Sequence, residues 1–60
     1  MAYSFLEEYD KVIADYTAAI RIYPDYAKAY YYRGLSHREL GNLVKADADF
    51  AKATELGLDP

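Results

Sequence analysis

Sixty residues with a formal net charge of −3 make one domain at most, and a chain of this size buries only about 60% of the surface its unfolded form exposes. With no cysteine and His37 as the only histidine, disulfides and thiolate metal sites are excluded, which leaves regular helix packing and self-association as the sources of stability. Apolar residues at 53% exclude intrinsic disorder, and the mixed charges contain no basic run of the kind that binds nucleic acid. No apolar stretch approaches the roughly 20 residues that span a bilayer. The start, Met1-Ala2-Tyr3-Ser4, lacks the basic region and cleavage site of a signal peptide. The expected setting is therefore cytoplasmic, with neither membrane nor nucleic acid as partner.

The first helix is expected over 4–23. Ser4-Phe5-Leu6-Glu7 has the spacing of a capping box, in which Ser4 and Glu7 satisfy each other's backbone N–H groups. Apolar residues then recur at Phe5, Tyr9, Val12, Tyr16, Ala19 and Tyr23, and a second stripe, Leu6, Ile13 and Ile20, lies beside the first. Two adjoining stripes predict contact with two neighbours. Pro24 stops this helix.

Asp25 is expected to cap a second helix over 26–40, and Gly34 within it costs up to about 1 kcal/mol relative to alanine. Close approach by another helix, which a Cβ would block, is the expected compensation. Gly41 fits the left-handed position just past a helix end, and Asn42 fits the cap of a third helix over 43–56, closed by Gly57. The connections are short, so neighbouring helices pack antiparallel. The fold class is all-α.

The chain repeats itself at an offset of 34. Lys11 matches Lys45, Ala14 matches Ala48, Asp15 matches Asp49, Ala19 matches Ala53 and Asp25 matches Asp59, while Tyr16 pairs with Phe50 and Ile22 with Leu56. A helix-turn-helix unit of that period is the signature of tetratricopeptide repeats. The run Ala27-x-Ala-Tyr30-Tyr-Tyr-Arg33-Gly34-Leu35, then Leu40-Gly41-Asn42-Leu43, then Ala46, Phe50 and Ala53, resembles helix A, turn and helix B of that family. His37 stands where the family more often has tyrosine, and Pro60 falls two residues later than Pro24 does in the preceding copy. Residues 9–26 resemble the helix B half of an earlier repeat, so the likeness covers about 50 of the 60 residues. It implies an α-solenoid of one and a half repeats: an orphan helix B, then helix A, then helix B.

The stripe Tyr9, Val12, Tyr16 and Ala19 on the first helix is expected to lie open, because its helix A is missing from the pattern. Opposite Ile13 and Ile20 in the repeat stand Asp47 and Thr54, so the far end is expected to be polar and closed. Fully burying valine or an aromatic side chain contributes about 1.5–3 kcal/mol. The open stripe therefore predicts a homo-oligomer, as a symmetric dimer with or without helix exchange, or else a chain excised or engineered from a longer array.

Chemistry finds little footing. A lone histidine without a base–nucleophile partner does not make a triad, so His37 is read as a packing residue. Glu7, Glu8 and Asp10 are explained by the helix N-terminal dipole rather than by a metal. Neither a cofactor nor a catalytic group is expected. In the resembled family helix A lines a groove for peptides or partner helices, which makes Lys28, Tyr31, Tyr32, Leu35, Arg38 and Glu39 the candidates here. Lys28 matches a position used by some members to clamp a terminal carboxylate, but Tyr32 stands where such clamps carry Arg or Asn. Of the three consecutive tyrosines, Tyr30 is expected to be the buried one. The function implied is a non-catalytic protein-interaction module; the alternative is a structural unit whose partner is itself.

Overall fold

The computed structural model describes residues 5–58, with side chains from residue 8 onward. The capping box at Ser4 and Glu7 and the displaced Pro60 lie outside what it describes. Three helices follow one another, α1 (Phe5–Ile22), α2 (Ala27–Glu39) and α3 (Leu43–Glu55), with α2 packed between the other two. No strand occurs among the described residues.

The two helix ends marked by glycine form as expected. Gly41 and Gly57 have φ of 82° and 104°, the left-handed conformation that a Cβ disfavours. At the end of α2 the Gly41 N–H donates to Arg38 O at 3.0 Å and the Asn42 N–H to His37 O at 2.8 Å. At the end of α3 the Gly57 N–H donates to Thr54 O at 2.9 Å and the Leu58 N–H to Ala53 O at 3.0 Å. Both are Schellman closures, which satisfy two orphan carbonyls each.

The helix starts differ from the sequence expectation. Asp25 does not cap α2: the Tyr26 N–H donates to Tyr23 O at 3.0 Å, closing a turn that has Pro24 and Asp25 at its centre. Pro24 pre-sets the backbone of this turn, so helical geometry begins only after Tyr26, which occupies the cap position without a side-chain bond. Asn42 does hold the cap position of α3, yet its side chain makes no cap bond either.

The core is built from small residues. Ala29, Ala46 and Ala53 are at most 1% exposed, and Gly34 and Ser36 are buried with them. A Cβ added at Gly34 would lie 2.8 Å from the Phe50 ring and 3.2 Å from the Ala46 carbonyl oxygen. The glycine thus lets α2 and α3 approach until the Phe50 ring lies against the α2 backbone. Tyr30 is not the buried tyrosine that the sequence suggested. It stays half-buried, as does Tyr31, because the fully buried seam is taken by Ala29, Ala46 and Ala53, and the Arg33 guanidinium lies 5.3 Å over the Tyr30 ring.

One charged cluster ties all three helices. The Arg33 guanidinium donates from Nε to Asp49 Oδ2 at 2.8 Å and from Nη2 to Asp49 Oδ1 at 2.7 Å, and its Nη1 donates to Thr17 Oγ1 at 3.3 Å. Asp49 is 6% exposed, so this is a bidentate pair on a largely desolvated carboxylate. The hydrogen bonds it donates to Asp49 hold the Arg33 guanidinium above its ordinary pKa, against the opposing effect of burial. A cation whose folded pKa is raised stabilises the fold at every pH below its unfolded value, so the pair contributes throughout the neutral range.

Two measurements test this core. Gly34→Val is expected to lower stability by about 1–3 kcal/mol in chemical denaturation, because the added carbons meet Phe50 and the α3 backbone. Arg33→Met leaves the Asp49 carboxylate without its partner and is expected to cost on the order of 3 kcal/mol, with much of that loss recovered in the Arg33→Met/Asp49→Leu double variant.

Candidate interaction groove and the open helix face

The tyrosines of α2 divide between its neighbours. Successive residues on a helix point about 100° apart, and here Tyr32 and Tyr31 turn toward opposite sides. Tyr32 stacks on Tyr16 of α1, with ring centroids 5.9 Å apart and planes 24° from parallel. Tyr31 meets Phe50 of α3 at 5.6 Å, and the two tyrosines touch edge to face at 5.5 Å. Tyr16 and Phe50 are equivalent positions of the repeat. A continuous aromatic row therefore runs from α1 through α2 to α3. Adjacent tyrosines beside two repeat-related aromatics were the available signal for this row, and only the register of the helices turned it into contacts.

On the far side of that row, α2 and α3 enclose a groove of about 270 Å³ lined by Tyr31, Leu35, Arg38, Phe50, Ala53, Thr54 and Leu58. Each wall has a local cause. The Schellman closure at Gly57 turns Leu58 back over Ala53, where such motifs commonly place an apolar contact. The close approach at Gly34 brings Phe50 against α2. Arg38 is exposed at the rim with its guanidinium 6.0 Å from the Phe50 ring centroid, and it forms no ion pair among the described residues. Thr54, on the same wall, donates its hydroxyl to Phe50 O at 3.1 Å. The α3 face expected to be polar and closed is thus only partly so. Asp47 and Thr54 are polar and exposed, but the adjoining Phe50, Ala53 and Leu58 form an apolar floor.

Of the six groove candidates, the fold brings together Tyr31, Leu35 and Arg38. Lys28 and Glu39 are exposed and do not line the groove, and Tyr32 is turned to Tyr16 instead. A wider, shallower hollow of about 540 Å³ lies over the α1–α2 turn, walled only by Ile22, Tyr23, Pro24, Asp25 and Tyr26. It draws on a single turn and brings no two helices together, so it offers less for specific recognition.

The α1 stripe is not uniformly open. Tyr9, Val12, Tyr16 and Ala19 are all half-buried, and Tyr16 is covered in part by its stacking on Tyr32. The sequence pattern assigned Tyr16 to the absent neighbour, whereas a residue between two adjoining stripes can turn its ring to either. Asp15, the repeat equivalent of the buried Asp49, is exposed and joins no ion pair among the described residues. His37 lies between α2 and α3 with its side chain 12% exposed and Nε2 3.9 Å from Asp49 Oδ2, beyond hydrogen-bond range. Its Nδ1 is buried and has no hydrogen-bond partner among the described residues. Among the described residues there is no group of three metal-ligating side chains, and no helix is long and apolar enough to cross a membrane.

The groove floor depends on the left-handed Gly57. Gly57→Ala is expected to cost about 1–2 kcal/mol and to loosen Leu58, seen as lowered amide protection there in hydrogen exchange while α1 is unchanged.

Comparison with known families agrees with this geometry. No solved structure matches the chain. A family model described as tetratricopeptide repeat matches residues 27–57, the α2–α3 pair that forms the groove. A second model of the same description matches residues 1–26, which contain α1. Such repeats generally mediate protein–protein interaction and are non-catalytic modules. With two adjoining matches covering residues 1–57 and three antiparallel helices, α2 and α3 of them closed at the expected glycines, the chain belongs to the tetratricopeptide-repeat family.

Proposed function

We propose that the protein is a non-catalytic interaction module that holds a peptide or partner helix in the groove between α2 and α3. The observation that carries this reading is the groove itself: an apolar floor of Phe50, Ala53 and Leu58, an apolar wall of Tyr31 and Leu35, and one cation, Arg38, at the rim. Apolar concavities with a few placed polar groups are the usual form of a recognition site. The chemistry favours a segment with two or more apolar side chains beside an acidic residue. Aromatic and arginine residues, the types that most often dominate binding energy, are both present. A cytoplasmic setting suits a chain without cysteine.

Selection of short peptides from a displayed library, followed by titration of the free peptides, tests this function. Leu35→Glu or Tyr31→Ala is expected to weaken the selected peptide at least about tenfold, the effect of a typical central contact. Lys28→Ala, outside the groove, is expected to leave it unchanged. Equal loss in all three variants, or in none, would remove the groove from the binding site.

A second reading is a self-associating structural unit, or a piece of a longer array, and the partly exposed stripe of Tyr9, Val12, Tyr16 and Ala19 favours it. On this reading a charge placed at Val12 disrupts assembly without affecting the groove.

A further inference from the structure

We propose that Tyr16 and Tyr32 are an oxidative cross-linking pair, which one-electron oxidation joins by a carbon–carbon bond between α1 and α2. The inference goes beyond the interaction role and rests on contacts inside the fold, not on the groove.

Composition decides where an oxidant acts. The chain has no cysteine, no tryptophan, a single methionine at position 1, and eight tyrosines. Thiols and thioethers are the usual sites of oxidation, and indole is the usual aromatic one. With these nearly absent, phenol is the group from which one electron is most readily taken.

Geometry decides which tyrosines couple. Tyr16 and Tyr32 stack with ring centroids 5.9 Å apart and planes 24° from parallel. Tyr32 is 44% exposed and Tyr16 half-buried, so a small oxidant reaches the pair from the Tyr32 side. Exchange across the stack then passes the radical to Tyr16, and a second oxidation at Tyr32 completes the pair. Tyr31 also touches Tyr32, at 5.5 Å, but edge to face with planes 71° apart. On its other side Tyr31 meets Phe50, which has no phenol. Successive helix residues point about 100° apart, so joining Tyr31 to Tyr32 would pull one ring from its partner on the neighbouring helix. Tyr30 lies under the Arg33 guanidinium, 5.3 Å from its ring centroid, and that cation opposes loss of an electron. Tyr9, Tyr23 and Tyr26 meet no other ring among the described residues.

The bond forms as follows. Each oxidation removes one electron and the hydroxyl proton from one ring. The two phenoxyl radicals join at a carbon ortho to each oxygen, and the hydrogens on those carbons pass to the oxygens. Both phenols re-form, and the net loss is two electrons and two protons. A haem peroxidase with hydrogen peroxide accepts them, and the peroxide is reduced to two waters. Within one chain the second ring is present at an effective concentration of millimolar or more. Other chains at micromolar concentration compete poorly, so the intrachain bond forms ahead of dimers. It fastens α1 to α2, the one helix against which α1 packs.

Treatment of the full chain with peroxidase and hydrogen peroxide at low micromolar concentration provides the test. The expected product is a monomer lighter by two hydrogens, with dityrosine fluorescence and one cross-linked peptide pair joining Tyr16 to Tyr32. Tyr16→Phe and Tyr32→Phe keep the ring and remove only the phenol, and each should lower the yield of this monomer by about tenfold or more. Tyr31→Phe and Tyr23→Phe should retain it. A monomer that loses no hydrogens, a cross-link mapped to another pair of tyrosines, cross-linked dimers without the cross-linked monomer, or a product that survives in Tyr16→Phe would overturn the proposal.

Discussion

The rest of the structure depends on the contact between Arg33 and Asp49. A carboxylate taken almost wholly out of water costs several kcal/mol unless its lone pairs are satisfied, and the two parallel N–H donors of one guanidinium do this for Asp49. The geometry is demanding, since a fork must meet a fork in plane. It therefore fixes the rotation and height of α2 against α3 more tightly than apolar contact alone can. A third donor, on Nη1, reaches Thr17, so the same guanidinium also contacts α1. With α2 placed in this way, Tyr31 and Tyr32 can meet Phe50 and Tyr16 only as they do.

Small residues make that placement possible. A chain of this size has few large side chains to spare for a sealed core, and here none of the fully buried side chains is large. Alanines, Ser36 and Gly34 fill the seam between helices, while the tyrosines lie half-exposed around it. Tyrosine tolerates this position because its ring contributes contact area and its hydroxyl remains hydrated. The consequence is a thin protein, 41 × 23 × 16 Å, that keeps much aromatic surface available.

The two outer helices, α1 and α3, each pack against α2 alone. Each helix B in such an array has two faces to cover. α3 packs one on α2 and lines the groove with the adjoining Phe50, Ala53 and Leu58; α1 packs Tyr16 on Tyr32 of α2 and keeps Val12 and Ala19 half-buried beside it. Asp15 and Asp49 show the effect most clearly. They are the same residue at the same place in the repeat, yet one is buried and doubly hydrogen-bonded while the other stands in water. What separates them is whether a helix lies over them.

The sequence by itself determined the number of helices and where they stop, because apolar spacing, Pro24 and the two left-handed glycines act within a few residues of themselves. It also determined the family, since the period of 34 and the small positions at Gly34, Ala46 and Ala53 are properties of the string. It misplaced Asp25, where the turn around Pro24 overrode a local capping preference, and Tyr30, which is half-buried while small residues fill the seam. Only the tertiary structure decided which way each tyrosine faces, that Arg33 is the joint of all three helices, and that Tyr31, Leu35 and Arg38 rather than all six candidates form the groove. The physical reason is that these outcomes depend on the rotation of one helix against another. Helical periodicity leaves that rotation uncertain by tens of degrees, and a bidentate ion pair between residues sixteen apart in the chain fixes it.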